Sequence, residues 1–266
     1  MQATLPIGVF DSGVGGLTVL QAITDLLPSE AILYLGDTAR VPYGTKSAAV
    51  VEAYALRCAG FLVNQGAKGI VIACNTASAV AVESIRREFK IPVVGVIEPG
   101  AEVACKATKN GRIGIMGTQG TIQSGAYQTA IERLRPGTTV LSQASPLLVP
   151  LAEENLVDHP ATRLLAQDYL EPLLKENIDT LVLGCTHYPL FKNLLQELAG
   201  SKIQIIDSAT AVAASLQNEL TAHALLTSKP GTGERKIFAT DWGQRFEQVG
   251  SRFLGTHIPE VEHVDL

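Results

Sequence analysis

An α/β fold of two pseudo-symmetric parallel-sheet domains facing a shared cleft is predicted by three features of the sequence. Short apolar, β-rich runs alternate with longer helical patterns, which is how βα units read when both faces of the sheet are covered. Four strand ends then recur in the same order about 110 residues further on. A final helix, strand and helix follow the second set, enough to return the chain to the first domain.

The strands are expected at Ile7 to Phe10, Ala31 to Leu35, Gly69 to Ala73, Pro92 to Ile97, Ile113 to Met116, Thr138 to Leu141, Thr180 to Leu183 and Ile203 to Ile206. Between them the pattern predicts helices at Leu17 to Leu27, Ser47 to Gln65 and Pro160 to Glu176. Proline opens the last of these, where its missing N–H is harmless. Beyond Ile206 come a helix from Ala209 to Leu226, a Ser-Lys-Pro-Gly-Thr-Gly loop, a strand from Lys236 to Thr240 and a helix from Gln244 to Leu254. Phe246, Val249 and Phe253 form one stripe on that last helix, read as core packing.

The recurrence is carried by four pairs of segments. IGVFDSG from Ile7 aligns with IGIMGTQ from Ile113, and RVPYG from Arg40 with LVPLA from Leu148. IVIACNT from Ile70 aligns with LVLGCTH from Leu181, and KIPVVGV from Lys90 with KIQIIDS from Lys202. The expected organisation is therefore a first domain of residues 1–98 plus 212–266, with residues 99–211 inserted as the second.

Composition narrows the function classes. The 266 residues, 46% of them hydrophobic, can bury a substantial core. A net charge of -5, with Lys and Arg scattered, gives no footprint for nucleic acid. The four cysteines, Cys58, Cys74, Cys105 and Cys185, form no CxxC pair, so a reduced compartment, the cytoplasm, is expected. The opening MQATLPIGVFDSG lacks a cationic n-region and breaks its apolar run at Asp11, unlike a signal peptide. No apolar stretch approaches the roughly 20 residues of a membrane span.

In open α/β sheets ligands bind beyond the carboxyl ends of strands, which draws attention to Asp11, Cys74, Thr118 and Cys185. Cys74 begins CNTAS and Cys185 begins CTHYP, each expected at a strand end before a helix, where free N–H groups and the helix dipole favour a thiolate. Cys58 and Cys105 fall within helical patterns and are read as packing residues. Two thiols at equivalent places in two facing halves suit inversion of a carbon stereocentre, which needs a base on one face and an acid on the other. No lysine sits in a recognisable pyridoxal-phosphate context, so fixed donors must stabilise the developing charge. Asn75, Thr76, Thr118 and Thr186 supply such donors, and His187 is placed to exchange a proton with Cys185 or to orient a ligand. Asp11 is followed by Ser-Gly-Val-Gly-Gly, which is neither GxGxxG nor a phosphate-binding GK[ST] loop; it serves either proton transfer near Cys74 and an ammonium group, or a plain helix cap. Glu153 follows the VPLA turn, either on the Cys185 side of a site or as a solvated carboxylate.

The segments GVFDSGVGGLTVL from Gly8, YLGDTARVPYG from Tyr34, ACNTAS from Ala73, GVIEPG from Gly95, GTQGTI from Gly117, LVPLAEE from Leu148 and GCTHYPL from Gly184 resemble the glutamate racemases of the aspartate/glutamate racemase superfamily. The resemblance spans roughly the whole chain. It implies a cofactor-independent enzyme making D-glutamate for peptidoglycan, with glutamate as its small-molecule partner, no metal, and a homodimeric assembly. It further implies Cys74 as the base toward D-glutamate and Cys185 as the base toward L-glutamate, with Asp11, Glu153 and His187 assisting. Ser12, Asn75, Thr76, Thr118, Thr121 and Thr186 would hold the α-groups of the amino acid, and Tyr43 and Gly44 its side-chain carboxylate. Ser145-Pro146 departs from the Cys-Pro of many relatives, at a place expected to lie away from the catalytic positions. Glu153 and Glu154 are adjacent, and only register separates them.

Four other readings compete. A racemase of another amino acid such as aspartate satisfies the physics equally well. A Cys/His hydrolase or acyl transferase would use Cys185 and His187 but gives Cys74 no task, and a zinc site from Cys74, Cys185 and His187 lacks a fourth ligand. A non-catalytic binding module that keeps the cleft is the alternative from outside enzymology.

Overall fold

The computed structural model describes residues 2–241, 243–258 and 260–266. The chain divides into two compact units, one from Met1–Val96 with Ala209–Leu266 and the other from Ile97–Ser208. In the first unit the order is β1 (Ile7–Asp11), α1 (Leu17–Leu26), β2 (Ile32–Gly36), α2 (Ala48–Asn64), β3 (Gly69–Ile72), α3 (Asn75–Phe89) and β4 (Val93–Gly95). Every residue of β1, β2 and β3 is buried, which is why these strands read as continuous apolar runs with no polar alternation. Helix α2 starts at Ser47, whose side chain accepts from the Val50 N–H. Helix α3 stops at Lys90, which turns left-handed at φ 51°.

The second unit holds α4 (Ile97–Ala107), β5 (Arg112–Gly117), α5 (Gln119–Gln123), α6 (Ala126–Leu134), β6 (Thr139–Ala144), α7 (Leu148–Glu153), α8 (Pro160–Lys175), β7 (Thr180–Gly184), α9 (Lys192–Ala199) and β8 (Gln204–Ile206). The chain then returns to the first unit with α10 (Ala209–Ala222), β9 (Arg235–Ala239), α11 (Gly243–Leu254) and β10 (Val261–His263).

Both sheets are parallel throughout. The first runs β10-β9-β2-β1-β3-β4 and the second β6-β5-β7-β8. Stripped of β9 and β10, the first has the order second-first-third-fourth strand, and the second repeats it, so the two units share one topology. Helices α1, α10 and α11 cover one face of the first sheet, with Phe246 and Val249 buried in that layer and Phe253 packed against it. Helices α2 and α3 cover the other.

Several elements differ from the pattern in the sequence. The strand expected to reach Ile97 stops at Gly95, because the Val96 N–H is taken by the Ser78 hydroxyl at 3.1 Å and Ile97-Glu98-Pro99 opens α4, a first turn that accepts both an acid and a proline. The helix expected to reach Leu226 ends at Ala222, since Ala224 adopts a left-handed φ of 53° and Leu225 N–H turns back to the Leu220 carbonyl. Strand β10 was not anticipated. It is a three-residue edge strand with only one apolar residue, a length and composition that carry no period.

Candidate active site

In the first unit, Asp11 ends β1 and Cys74 follows the neighbouring strand β3, the two strands being joined up to the Ala73 N–H donating to the Phe10 carbonyl at 2.8 Å. Asp11 is wholly buried, and its Oδ2 accepts from the Gly13 N–H at 3.0 Å, which folds the Ser12–Gly16 segment back over the strand ends. Tyr34 fastens that segment from below by donating its hydroxyl to the Gly13 carbonyl at 2.8 Å. Burial, then the nearby Asp11 and Cys74, hold the Tyr34 hydroxyl well above its ordinary pKa, so it remains a donor. Gly16 is needed at the start of α1, because a Cβ there would lie 2.5 Å from the Asp11 Cβ and 2.9 Å from that of Ala73.

Cys74 occupies the N-cap of α3 with an extended backbone, and its thiol lies 3.7 Å from the Ser12 hydroxyl. Asn75 and Thr76 fill the first turn of that helix and are buried. Tyr43 and Gly44 sit in a short 3-10 turn after the cis bond between Val41 and Pro42. Tyr43 is buried and Gly44 half-buried. Cys58 packs in the core as its helical context predicts, yet its sulfur also meets the Tyr43 hydroxyl at 3.8 Å, and burial pushes its thiol pKa up. Nothing in the sequence signals that polar neighbour, since the two residues are joined only by the tertiary fold.

In the second unit the corresponding strands are β5 and β7, in register at Gly117 and Gly184. Thr118 follows β5 and caps α5, its Oγ1 accepting from the Thr121 N–H at 3.2 Å and lying 3.0 Å from the Thr121 hydroxyl. Cys185 follows β7 and is buried like Cys74. Its surroundings differ from expectation, however. Instead of an α-helix, Cys185 leads into Thr186, His187 and a four-residue 3-10 segment, Tyr188–Phe191, and α9 begins only at Lys192. Pro189, lacking an N–H, and the Tyr188 N–H turned back onto the Cys185 carbonyl at 3.1 Å favour this tighter turn. The helix-dipole argument therefore applies to Cys74 alone, whereas Cys185 lies against a neighbouring side chain.

That neighbour is His187. Its Nδ1 lies 4.0 Å from the Cys185 sulfur and 3.4 Å from the Thr186 hydroxyl, while Nε2 lies 2.9 Å from Glu153 Oε1. Burial alone would lower the imidazole pKa, but hydrogen bonds with Cys185 and Glu153 and the charges of both outweigh it and raise the pKa to about 10. Each ring nitrogen thus has a polar neighbour, Nδ1 the Cys185 sulfur and Nε2 the Glu153 carboxylate. Of the two adjacent carboxylates, Glu153 reaches it from the last residue of α7, whereas Glu154 caps that helix and is exposed.

Ser145 is less remote than its sequence context indicated. It is wholly buried, and its carbonyl accepts from the Tyr188 hydroxyl at 2.6 Å, which ties it to the turn carrying Cys185 and His187. Tyr34, Asp37 and Tyr188 are buried polar residues around these strand ends that the sequence did not single out; each lies inside a segment quoted for the resemblance, but its partner is distant in the chain or a backbone atom.

Each parallel α/β unit carries a buried cysteine just beyond its third strand, Cys74 near Asp11 in the first and Cys185 beside His187 in the second. The sequence profile of Asp/Glu/hydantoin racemases matches residues 7–216. The chain belongs to that family and is accordingly an isomerase. It is 52% identical to the glutamate racemase of Syntrophus aciditrophicus over 261 residues, 98% of this chain and 97% of that protein. Its structure is similar to the crystal structure of a glutamate racemase isoform from Bacillus anthracis, with a TM-score of 0.96 and 41% identity over 100% of this chain and 99% of that one. It is also similar to the glutamate racemase from Francisella tularensis in complex with D-glutamate, with a TM-score of 0.92 and 37% identity over 99% of this chain and 98% of that one.

Proposed function

We propose that this chain interconverts L- and D-glutamate by a two-cysteine acid/base mechanism that uses no cofactor. One observation carries the reading: the third strand of each unit leads to a buried cysteine, Cys74 after β3 and Cys185 after β7, in sheets that share one strand order once β9 and β10 are set aside. Inversion by two groups needs a proton acceptor on one face of Cα and a donor on the other, with the roles exchanged in the reverse direction.

In this account Cys185, as thiolate, removes the α-proton of L-glutamate, and its S–H bond forms as the Cα–H bond breaks. The electron pair is held as a carbanion against the α-carboxylate until the Cys74 thiol delivers its own proton to the other face, leaving D-glutamate, a Cys74 thiolate and a Cys185 thiol. The reverse reaction begins from that state. His187, charged and held by Glu153, stabilises the Cys185 thiolate and returns protons on that side; Asp11 serves the Cys74 side. Ser12, Asn75, Thr76, Thr118, Thr121 and Thr186 hold the α-groups, and the Tyr43–Gly44 segment takes the side-chain carboxylate. That the relatives bear the name glutamate racemase favours glutamate over aspartate or another amino acid. A Cys185/His187 hydrolase fits the 4.0 Å contact but assigns nothing to Cys74. The same resemblance supports a role in supplying D-glutamate for peptidoglycan, a cytoplasmic location and a homodimer. None of the helices among the described residues is long and apolar enough to cross a membrane.

Incubation of either enantiomer with the protein in heavy water tests the reading. Deuterium is expected at Cα while optical rotation decays to zero. Absence of exchange with both enantiomers contradicts it.

A further inference from the structure

Asp37 follows β2 and is wholly buried, yet none of the steps above uses it. Its Oδ2 accepts from the Tyr43 hydroxyl, and its Oδ1 accepts from Arg40 Nη1 at 2.8 Å and from the Thr240 hydroxyl at 2.9 Å. A carboxylate removed from water is tolerated only when its lone pairs are met and its charge is balanced. Here three donors meet it, and the Arg40 guanidinium supplies the balancing charge. Arg40 is itself held, donating from Nη2 to the Leu266 carbonyl oxygen and lying over the Tyr54 ring, 5.3 Å from its centroid. Thr240 in turn accepts from the Ala39 N–H at 2.9 Å. The segment from Asp37 to Tyr43 is thus drawn together around one carboxylate.

Tyr43 shows what this arrangement achieves. The residue is 1% exposed and its hydroxyl points inward to Asp37, so the ring offers a ligand nothing. What Tyr43 and Gly44 themselves can present is therefore backbone, and the ring is the anchor that fixes where that backbone lies. The hydroxyl stays a donor because burial, then Cys58 and Asp37, raise its pKa.

We propose that Asp37 is a positioning residue for the substrate's side-chain carboxylate, acting through the Tyr43 hydroxyl and locked by Arg40 and Thr240. The inference rests on the reading above that places Tyr43 and Gly44 at that carboxylate. Asp37 touches no reacting atom, so its loss weakens the binding of substrate and transition state alike, which raises KM and spares kcat.

Initial-rate kinetics on four variants, each first checked for folding by circular dichroism, separate the two ideas. Gly44→Val tests the underlying reading, and Tyr43→Phe, Asp37→Asn and their double substitution test the proposal. We expect KM for glutamate to rise about tenfold in Tyr43→Phe and in Asp37→Asn, with kcat within about twofold of the parent. The double variant is expected to be no worse than the poorer single one, because both act on the same Tyr43–Asp37 contact. If Gly44→Val leaves KM unchanged, the assignment of the segment to the carboxylate is wrong. If Gly44→Val raises KM while Tyr43→Phe and Asp37→Asn do not, or if they lower kcat instead, the assignment stands and the positioning role of Asp37 is overturned. Should Asp37→Asn fail to fold, Thr240→Val removes one donor and leaves the charge; it is expected to raise KM about threefold, and an unchanged KM in both Thr240→Val and Tyr43→Phe likewise overturns the proposal.

Discussion

His187 Nε2 and Glu153 Oε1 lie 2.9 Å apart, which leaves the imidazole's other nitrogen turned toward the Cys185 sulfur. A residue two positions from the cysteine is thereby tied to a carboxylate 34 residues earlier in the chain, at the end of α7. The pair determines the charge next to the thiol, and several outcomes follow from it and from the packing around it.

The His187 imidazole is expected to titrate near pH 10 rather than near 6.5, because the hydrogen bonds with Cys185 and Glu153 overcome burial. Glu153→Gln removes one of the two charges and brings the value down. Since the folded pKa is raised, the associated stability is fully present below about pH 6.5 and is lost as the pH climbs through about 10. Glu153 is 31% exposed, so part of this coupling is screened by water. NMR of the ring carbons across pH 5 to 11 measures it; an imidazole that loses its charge between pH 6 and 7 contradicts the arrangement.

Each cysteine is expected to be indispensable on its own. Cys74→Ser and Cys185→Ser should each lower racemisation by at least about a thousandfold, because a serine hydroxyl is far too weak an acid to exist as the conjugate base here. Polarimetry with both enantiomers measures the loss. A Cys74→Ser protein with full activity contradicts the two-base account.

Gly16→Ala should destabilise the protein by about 1–3 kcal/mol and impair activity, since the new methyl would lie 2.5 Å from the Asp11 Cβ and 2.8 Å from the Tyr34 hydroxyl, neither of which is a free end. Urea unfolding reads the first effect and the assay the second. A fully stable and active variant means the Asp11 loop has slack that the packing does not show.

Lys68 and Glu30 form a buried ion pair at the opposite ends of the strands, with Lys68 also donating to the Ala3 carbonyl and Glu30 accepting from the Thr227 N–H. Lys68→Met leaves a buried carboxylate without its counter-charge and should cost about 3–5 kcal/mol, whereas Lys68→Met with Glu30→Gln should cost less than the single change. Denaturant midpoints of the two variants decide it, and a milder single variant contradicts the pairing.

Much of this architecture was legible in the sequence because fully covered parallel strands must be continuously apolar, and the two cysteines stand where such strands end. The duplicated order of strands followed from the same runs. Where the pattern failed, the cause was local. Ser78 takes the Val96 N–H and ends β4 early, and Ala224 turns left-handed and shortens α10. At Cys185 the expected helix gives way to a 3-10 turn, which no apolar spacing records. Asp37 and Tyr34 escaped notice for a different reason: a buried polar residue in a strand-end segment acquires its meaning from partners such as Thr240 and Gly13 that only the folded chain brings near.

The central claim is that two bases work in turn, and the placement of deuterium during the first few per cent of reaction tests it most directly. L-Glutamate is converted in heavy water and the two enantiomers are separated and analysed by mass spectrometry. The account predicts D-glutamate carrying deuterium at Cα while the remaining L-glutamate is still protiated, because the proton removed by one cysteine is not the one delivered by the other. D-Glutamate that retains the original protium, or L-glutamate labelled as fast as the product forms, would point to a single base and contradict it.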